Sequence, residues 1–581
     1  MNMVDGGKAF VFRCLVGALA VLPAACFMAE PVTSAPSGRD DSRSMQTVTS
    51  AESASGPAQL EPRGALPGEA SASGQEPSAA TEPPAAPATA EQVPEGLRFP
   101  EGFVFGTAIA GFQADMGCPS LTPSECSDRA SDWYQFTTDR ATTTSPGAHL
   151  SGQDPERVGP GFWELFSEDI ARADEQLHNG GLRFSLEWSR IFPTATDGVQ
   201  GHEALRALAD PRALARYHAM LTELNARGMQ PVVTLNHYSL PVWIHDAVGC
   251  HEDFDNCSPR GWVDSERTIR EITKYAAFCA REFGAQVDVW ATLNEPLQNM
   301  LFGYLMPGEE RSHPPAVSLK TTAARVVFNA LIEAHARMYE VVKRHDTVDV
   351  DGDGHASFIG LVYPLVPIVA NDPGWFLDNQ AVQDVDYLWN RAFLRAVALG
   401  EYDEELNGES VYREDLAGRM DYIGVNWYFS MRVSGLGFSF LPQLTSKLTA
   451  NPLNFEKIPN GPGALIKNLA WINQELGLPA IITENGVPDP GDDGTGPRYL
   501  VENLRELALA IEGGADVRGY FYWTLMDNFE WNHGMDERMG LYAVDAQDPL
   551  KRRVPRQTVE TFAEIARWGV LPEHLLAEHG F

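Results

Sequence analysis

Two glutamates stand at the ends of short apolar runs, where their carboxyl groups would be suited to acid–base and nucleophilic chemistry. Glu295 closes the run of residues 287–295, and Glu484 lies near the end of residues 479–486. Cleavage of a glycosidic bond needs one carboxylic acid to protonate the leaving oxygen and one carboxylate to attack or stabilise the anomeric carbon. The alternative is that each glutamate is a structural hydrogen-bonding residue at the end of its strand.

The ends of the other apolar runs carry side chains that suit the binding of a sugar. They are Gln113, His237, Tyr428 and the segment 523–531, which includes Trp523, Glu530 and Trp531. Amides and imidazoles hydrogen-bond hydroxyl groups, and indole rings offer large apolar faces with a polar edge. Together with the two glutamates, this set favours a sugar-cleaving site over a structural role for each residue.

Eight apolar runs alternate with amphipathic stretches and are predicted strands. They cover residues 103–110, 181–188, 230–237, 287–295, 357–365, 421–428, 479–486 and 517–525. Continuous apolar strands between helices indicate a parallel sheet covered by helices. Eight such units predict an α/β fold, a closed (β/α)8 TIM barrel whose strand ends form the active site. The alternative, an open doubly wound sheet, usually carries a Gly-rich phosphate loop, which FGTAIAGFQAD does not match.

The composition is that of a soluble globular chain with an excess of acid. Among 581 residues, 44% are hydrophobic and 21% are charged, so the chain can bury a sizeable core. Lys and Arg number 44 against 79 Asp and Glu, which gives a net charge of −35. This excess argues against nucleic acid or an anionic membrane surface as partner, because phosphate binding needs clustered positive charge. No apolar run after residue 30 is long enough to span a bilayer.

The first 26 residues have the pattern of an export signal. Lys8 and Arg13 precede an apolar stretch that ends in small residues before Cys26. We therefore expect a periplasmic, cell-surface or secreted protein. Residues 22–26, LPAAC, resemble a bacterial lipoprotein cleavage site with Cys26 as the acylated residue, although Leu22 stands four positions before the cysteine instead of three. The alternative is ordinary cleavage nearby and a soluble secreted protein.

Residues 27–96 differ in composition from the rest of the chain. Ala, Pro, Ser, Gly and Glu dominate, and no aromatic residue occurs between Met28 and Arg98. Such a segment cannot bury enough apolar surface to offset its ordering entropy, so we expect a disordered linker. Residues 97–581 are predicted to form one catalytic domain.

The cysteines beyond the signal fall into two close pairs and one single residue. Cys118 and Cys126 are eight positions apart, and Cys250 and Cys257 are seven apart, each pair in a polar segment. In an exported protein these spacings predict the disulfides 118–126 and 250–257. Metal ligation is the alternative, but the spacing is wide for a zinc knuckle and no His pair matches it. Cys279 lies in an apolar helical pattern and is predicted to be a buried free thiol.

Two motifs, TLNEP at 292–296 and ITENG at 482–486, resemble the signature motifs of glycoside hydrolase family 1, the β-glucosidase and β-galactosidase family. The similarity runs from FPEGFVFGTA through HNGGLRFSLEWSRIFP and NHYSLPVW to DNFEWNHG, and it covers residues 97–570. Within the family, the segment NHYSLPVWIHD is similar to the corresponding segment of the archaeal-type β-glycosidases.

The resemblance implies a role for each matched residue. It implies that Glu295 is the general acid/base and Glu484 the nucleophile of a retaining mechanism. It also implies that Arg183 and Tyr428 position the nucleophile, and a cation and a hydroxyl donor both favour a charged carboxylate. The residues that the resemblance assigns to sugar binding are Gln113, His237, Asn294, Asn426, Trp523, Glu530 and Trp531.

The resemblance further implies the activity of a β-glucosidase-like O-glycosyl hydrolase. It would release terminal β-linked sugars from oligosaccharides or glycosides through a covalent glycosyl-enzyme intermediate, with a small carbohydrate as partner and no required cofactor. The alternatives are a transglycosylase on the same site and a non-catalytic surface lipoprotein that binds sugar. The carboxylate of Glu530 suits a neutral sugar and would repel a 6-phosphate. Tyr238 and Met539 depart from the family pattern and bear on sugar preference.

One loop has the pattern of a calcium site. Asp349, Asp351 and Asp353 occupy ligand positions one, three and five, and Gly354 occupies position six. The bidentate glutamate expected at position twelve is absent, since residue 360 is Gly. We expect either a structural calcium ion or an acidic surface turn.

Overall fold

The computed structural model describes residues 93–461 and 463–581. Its centre is a closed barrel of eight parallel strands, which confirms the predicted TIM barrel. The strands are β1 (Val104–Ala108), β2 (Gly181–Ser185), β3 (Gln230–Asn236), β4 (Val289–Asn294), β5 (Phe358–Pro364), β6 (Tyr422–Asn426), β7 (Ala480–Asn485) and β8 (Val517–Trp523). Each strand pairs with the next along the chain, and β8 pairs with β1.

A helical segment follows every strand of the barrel. These helices are Phe162–Glu175, Pro211–Ala226, Ser265–Phe283, Thr321–His345, Phe376–Asp386 with Ala392–Leu399, Ala464–Trp471, Thr495–Glu512 and Gln557–Trp568. Local sequence explains where they start. The second helix begins with Pro211, and the side chain of Asp210 accepts hydrogen bonds from the backbone N–H groups of Arg212 and Ala213.

Shorter elements decorate the barrel. The short helices are Gly111–Ala114, Pro123–Cys126, Asp132–Thr138, Arg140–Thr144, Pro155–Val158, Trp188–Ile191, His202–Arg206, Ala247–Glu252, Pro296–Met300 and Glu573–His579. Single turns of other helical types cover Gly261–Val263, Gly284–Gln286, Leu301–Leu305, Tyr387–Arg391, Pro452–Asn454, Ile472–Leu476 and Trp531–His533. A three-stranded sheet outside the barrel contains Ile368–Ala370, Ser430–Val433 and Glu456–Ile458. Two-stranded pairs join Glu401–Tyr402 to Val411–Tyr412 and Tyr542–Val544 to Arg553–Pro555.

The strands are buried on both faces, which is why the sequence shows continuous apolar runs in place of strict alternation. Every residue of β2, β4, β6 and β7 is buried. The largest fully buried side chains include Trp133, Trp188, Trp290 and Trp427. Arg183 of β2 is buried completely as well, so a fully charged side chain lies inside the barrel and requires a compensating charge.

Both predicted disulfides are present. Cys118 is bonded to Cys126, and Cys250 is bonded to Cys257. Cys279 is a buried free thiol, as the sequence predicted. Each disulfide joins residues close in sequence and therefore closes a short loop.

The predicted domain boundary at residue 96 falls within a strand. Gly96–Arg98 pairs antiparallel with Val570–Pro572, so the two ends of the barrel domain are joined by backbone hydrogen bonds. The predicted export signal, Cys26 and residues 27–92 of the predicted linker lie outside the described residues. In residues 93–461 and 463–581, no helix is long and apolar enough to cross a membrane.

Candidate active site

The carboxylate of Glu484, near the end of β7, is held by two donors. Nη1 of Arg183 donates a hydrogen bond to Oε1 over 2.6 Å, and the hydroxyl of Tyr428 donates to Oε2 over 2.6 Å. Burial raises the pKa of Glu484 to about 6, while the positive charge of Arg183 opposes that rise. The carboxyl group is therefore mostly ionised at neutral pH and fixed in one orientation.

Arg183 is itself fixed by several acceptors. Its Nη2 donates to Oδ1 of Asn294 over 2.7 Å, and its Nε donates to Oγ1 of Thr234 over 3.2 Å. These bonds come from β3 and β4, and Glu484 comes from β7. One guanidinium group thus connects four strands of the barrel beneath the site.

The carboxyl group of Glu295 contacts neutral donors. The hydroxyl of Tyr238 donates to Oε2 over 2.6 Å, and Nδ2 of Asn426 donates to Oε1 over 2.8 Å. Burial raises the pKa of Glu295, although both hydrogen bonds oppose the rise. The residue follows β4 with a φ of 42°, in the left-handed region that non-glycine residues seldom adopt and that is enriched at functional sites.

The two glutamates influence one another electrostatically. The negative charge of Glu295 raises the pKa of Glu484, after the larger effect of burial, and like charges in one site resist simultaneous ionisation. Asn426 lies between them, because it pairs with Glu484 in the barrel register and hydrogen-bonds Glu295. One group is therefore suited to hold a proton while the other remains charged.

A second group of polar side chains surrounds Glu530. Nε2 of Gln113 donates to Oε2 of Glu530 over 2.7 Å, and Nη1 of Arg311 donates to Oε1 over 2.9 Å. Burial raises the pKa of Glu530, while Arg311 opposes the rise. The ring of His237 stacks on Trp523 and Trp531, with centroid distances of 5.9 and 5.7 Å.

Two buried atoms here have no partner among the described residues: Oε1 of Gln113 and Nδ1 of His237. Asn294 donates its amide hydrogen to Nε2 of His237 over 3.0 Å, so the imidazole proton lies on Nδ1. Burial, aided by the charge of Arg183, lowers the pKa of His237 well below its usual value, and the ring is neutral. The Nδ1–H of His237 is thus left as a donor for a polar, uncharged ligand such as a hydroxylated sugar.

Two cavities meet at Glu295. The first, here called the polar cavity, has a volume of about 230 Å³ and is lined by His237, Asn294, Glu295, Glu484, Trp523, Glu530 and Trp531, with Met539 at its wall. The second, here called the apolar cavity, has a volume of about 170 Å³ and includes Leu301, Phe302, Met306, Trp389, Phe429 and Phe455. Both contain Glu295 and Tyr428. An acid at this junction can protonate an atom that links the two halves of a ligand.

The structure brings all eleven predicted sugar-site residues to the C-terminal end of the barrel, but they differ in where they lie relative to the two cavities. Arg183 and Gln113 lie behind the polar cavity and act through Glu484 and Glu530. Asn426 lines the apolar cavity and contacts Glu295.

Sequence reasoning missed two contacts. Arg311 comes from a loop without a recognisable motif, and the need of buried Glu530 for a cation was the only signal. Tyr238 departs from the family pattern, and its residue type alone does not reveal its bond to Glu295.

The acidic loop before β5 differs from the predicted ligand set. Asp349 and Asp351 lie with Asp288 in a group whose carboxylate oxygens are within 4.8 Å of one another, and Asp353 is outside this group. Asp288 accepts hydrogen bonds from the backbone N–H groups of Val350 and Asp351. The carboxylates therefore already order the turn, and the grouping also suits a cation that prefers oxygen ligands.

Comparison with known proteins identifies the relatives of this chain. The sequence model of glycosyl hydrolase family 1 matches residues 96–569. A β-galactosidase of Pyrococcus woesei is 32% identical, with 80% of this chain and 96% of the relative covered. A β-galactosidase of Sulfolobus acidocaldarius is 33% identical, with 82% and 97% covered. The crystal structure of the β-glycosidase from Thermosphaera aggregans superposes with a TM-score of 0.69 at 29% identity, covering 83% of this chain and 99% of that one.

Proposed function

The chain belongs to glycosyl hydrolase family 1 and is a retaining β-glycosidase, and we propose that it hydrolyses β-glucosides and releases terminal glucose. The observation that carries the glycosidase mechanism is the unequal pair of glutamates at the end of the barrel. Glu484 is bound by a cation and a hydroxyl, and Glu295 by neutral donors. Because the relatives from Pyrococcus and Sulfolobus are named β-galactosidases, β-galactosides are the second candidate substrates.

In the first step the carboxylate of Glu484 attacks the anomeric carbon. Arg183 and Tyr428 hold both of its oxygens, so one orientation is presented to the sugar. Glu295, whose pKa is raised by burial, gives its proton to the leaving oxygen. The glycosidic C–O bond breaks, the aglycone leaves as an alcohol, and the sugar is bound as an ester to Glu484.

In the second step Glu295 acts as a base. Glycosylation removes the charge of Glu484, and the pKa of Glu295 falls because a neighbouring negative charge has disappeared. The hydrogen bonds from Tyr238 and Asn426 favour the ionised form of Glu295 at this stage. The carboxylate takes a proton from water, water attacks the anomeric carbon, and Glu484 is released with net retention.

The pairing of Glu530 supports a neutral sugar. Arg311 is already bound to Glu530 over 2.9 Å, so the positive charge near the polar cavity is compensated. A phosphorylated sugar would place a second anion beside this buried carboxylate, at a cost in electrostatic energy. The unpartnered Nδ1–H of His237, which lines the polar cavity, suits a hydroxyl group instead.

A panel of aryl β-glycosides tests the proposal. We expect turnover of the β-glucoside, and the β-galactoside and 6-phospho-β-galactoside measure the competing preferences. Replacement of Glu484→Gly should lower kcat by several orders of magnitude, as the loss of a nucleophile does. Azide should restore activity and give the inverted α-glycosyl azide. Glu309→Gly, an exposed loop change, is the control. Near-normal activity of the Glu484→Gly variant without azide would contradict the mechanism.

We further propose that residues 1–26 direct export and that residues 27–96 tether the domain to an acylated Cys26. Support comes from the basic, apolar and small-residue pattern of the first segment and from the composition of the second. The test is incorporation of labelled palmitate in cells that produce the full chain. Labelling that persists in a Cys26→Ser variant, or is absent from the native chain, contradicts acylation.

The turn formed by Asp288, Asp349 and Asp351 is proposed as a structural calcium site. Three carboxylates within reach of one ion support it, and the chemistry at Glu295 and Glu484 does not involve it. We expect a lower melting temperature after EDTA treatment, restored by added calcium. Identical melting temperatures with and without EDTA would remove the site from consideration.

A further inference from the structure

The apolar cavity lies on the leaving-group side of Glu295 and offers few polar groups to a ligand. Trp389 donates its indole N–H to the carbonyl oxygen of Pro364 over 3.0 Å, so only its ring faces the cavity as an apolar surface. The hydroxyl of Tyr428 is bound to Glu484, and the amide of Asn426 is bound to Glu295. The polar atoms of three of its lining residues are therefore already engaged.

Four charged side chains of this cavity are engaged in ion pairs, one within the cavity and two with residues outside its lining. Lys457 contacts Glu310 over 3.1 Å, and Glu456 contacts Arg432 over 2.7 Å. Arg311 contacts Glu530 of the polar cavity. One buried acceptor in the lining, Oε1 of Gln298, has no partner among the described residues. A second sugar ring would bring several hydroxyl groups, which would have to share side chains that these pairs already engage.

A smaller void lies behind the apolar cavity. This inner void has a volume of about 60 Å³ and is lined by apolar side chains alone. It shares Leu301, Met306 and Trp389 with the apolar cavity, so these three side chains form the wall between them. Met306 has an unbranched, flexible side chain that can change rotamer and connect the two spaces. A space lined in this way favours apolar ligands over polar ones.

We propose that the natural leaving group is an apolar alcohol, alkyl or aryl, that fills the apolar cavity and extends past Met306 into the inner void. The inference rests on the proposed glycosidase function, because it places the glycosidic oxygen at Glu295. The sugar occupies the polar cavity, and the apolar chain is removed from water on the other side. The enzyme is then selective for alkyl or aryl glycosides over oligosaccharides.

A series of n-alkyl β-glucosides from methyl to octyl, with cellobiose beside it, tests the proposal by glucose release. Each methylene buried should raise kcat/KM about fourfold, the equivalent of about 0.8 kcal/mol per CH₂. The gain should stop when the cavities are filled, and cellobiose should be a poorer substrate than the longer alkyl glucosides. A kcat/KM that is flat with chain length, with cellobiose preferred, would overturn the inference. A protein that also fails to cleave any aryl β-glycoside would contradict the glycosidase function itself.

Larger side chains that fill the inner void test its role separately from that of the apolar cavity. Leu448 and Val385 line the inner void but not the apolar cavity. Leu448→Phe and Val385→Leu should lower the octyl-to-butyl ratio of kcat/KM, because added volume competes with the end of the chain. Leu478→Phe, a partly buried leucine in neither lining, is the matched control and should leave the ratio unchanged. With folding verified by thermal melting, an unchanged ratio in both variants would overturn the extension into the void.

Discussion

Removing the hydroxyl of Tyr238 should alter how the enzyme depends on pH. Tyr238 follows His237 with a φ of 71°, is buried, and donates to Oε2 of Glu295 over 2.6 Å. Its ring packs edge-on against Trp531 at 4.9 Å between centroids. Replacement by Phe keeps the ring and its packing and removes only the donor.

The size of the effect follows from the bond that is lost. A hydrogen bond to a charged group is worth about 1.5–3 kcal/mol, and 1.36 kcal/mol corresponds to one pH unit. The protonated acid also retains part of the interaction with the hydroxyl, so we expect a shift of about one pH unit, at the lower end of that range. Because the hydroxyl stabilises the ionised form of Glu295, its removal raises the pKa of this residue further. The acid then remains protonated to higher pH.

The assay is the pH profile of kcat/KM for an aryl β-glucoside, which reports the ionisations of the free enzyme. In the Tyr238→Phe variant the alkaline limb should move to higher pH, and the acid limb, set by Glu484, should not move. Tyr275→Phe removes a buried hydroxyl that donates to the carbonyl of Leu186, away from the site, and is the control. An alkaline limb that stays fixed or moves to lower pH would refute a direct effect on Glu295. A kcat/KM that decreases by the same factor at every pH would refute it as well.

Three further predictions concern other parts of the protein. Since the pKa of Glu484 is raised to about 6, kcat/KM should fall as the pH drops below about 6, where the nucleophile becomes protonated, and a profile flat to pH 4.5 would contradict this. Arg311→Gln should lower kcat/KM for the β-glucoside roughly 10–100-fold, because it leaves the buried carboxylate of Glu530 without its cation; unchanged kinetics would contradict that pairing. Joint replacement of Cys250 and Cys257 by Ser opens a loop of sequence separation 7 and should cost about 2–3 kcal/mol of unfolding free energy, measured from the urea midpoint, which an unaltered midpoint would exclude.

The barrel was predictable because its strands are buried on both sides and therefore appear as short apolar runs. Each of the eight predicted runs contains one barrel strand, but the runs extend past the strands at the C-terminal end. The predicted run 287–295 illustrates the reason. β4 ends at Asn294, and Glu295 takes a left-handed conformation that residue types do not reveal. The functional side chains thus lie where the strand geometry stops.

The site was predictable where a residue lies at or soon after a strand end or belongs to a compact motif. Glu295 and Glu484 have that position, and their motifs are compact in sequence. Trp389 and Met306 do not have that position. Trp389 lies in a helical turn after β5, Met306 follows the helical turn Leu301–Leu305 after β4, and both have the apolar character of ordinary core residues. Their assembly into one cavity depends on the packing of loops against the barrel, which the hydrophobic periodicity of the sequence does not predict.

Three glutamates that line the polar cavity, Glu295, Glu484 and Glu530, differ in the kind of partner that holds them. Glu484 and Glu530 are each hydrogen-bonded by an arginine, and a cation at that distance favours the charged form. Among the described residues no cation hydrogen-bonds Glu295, whose donors are the neutral groups of Tyr238 and Asn426. Neutral donors orient a carboxyl group while allowing it to gain and lose a proton. A nucleophile and a sugar-binding carboxylate must remain charged, whereas an acid/base must alternate between two states. For these three glutamates the partners agree with the proposed roles, with Glu295 as the group that transfers protons and Glu484 and Glu530 as the groups that stay charged.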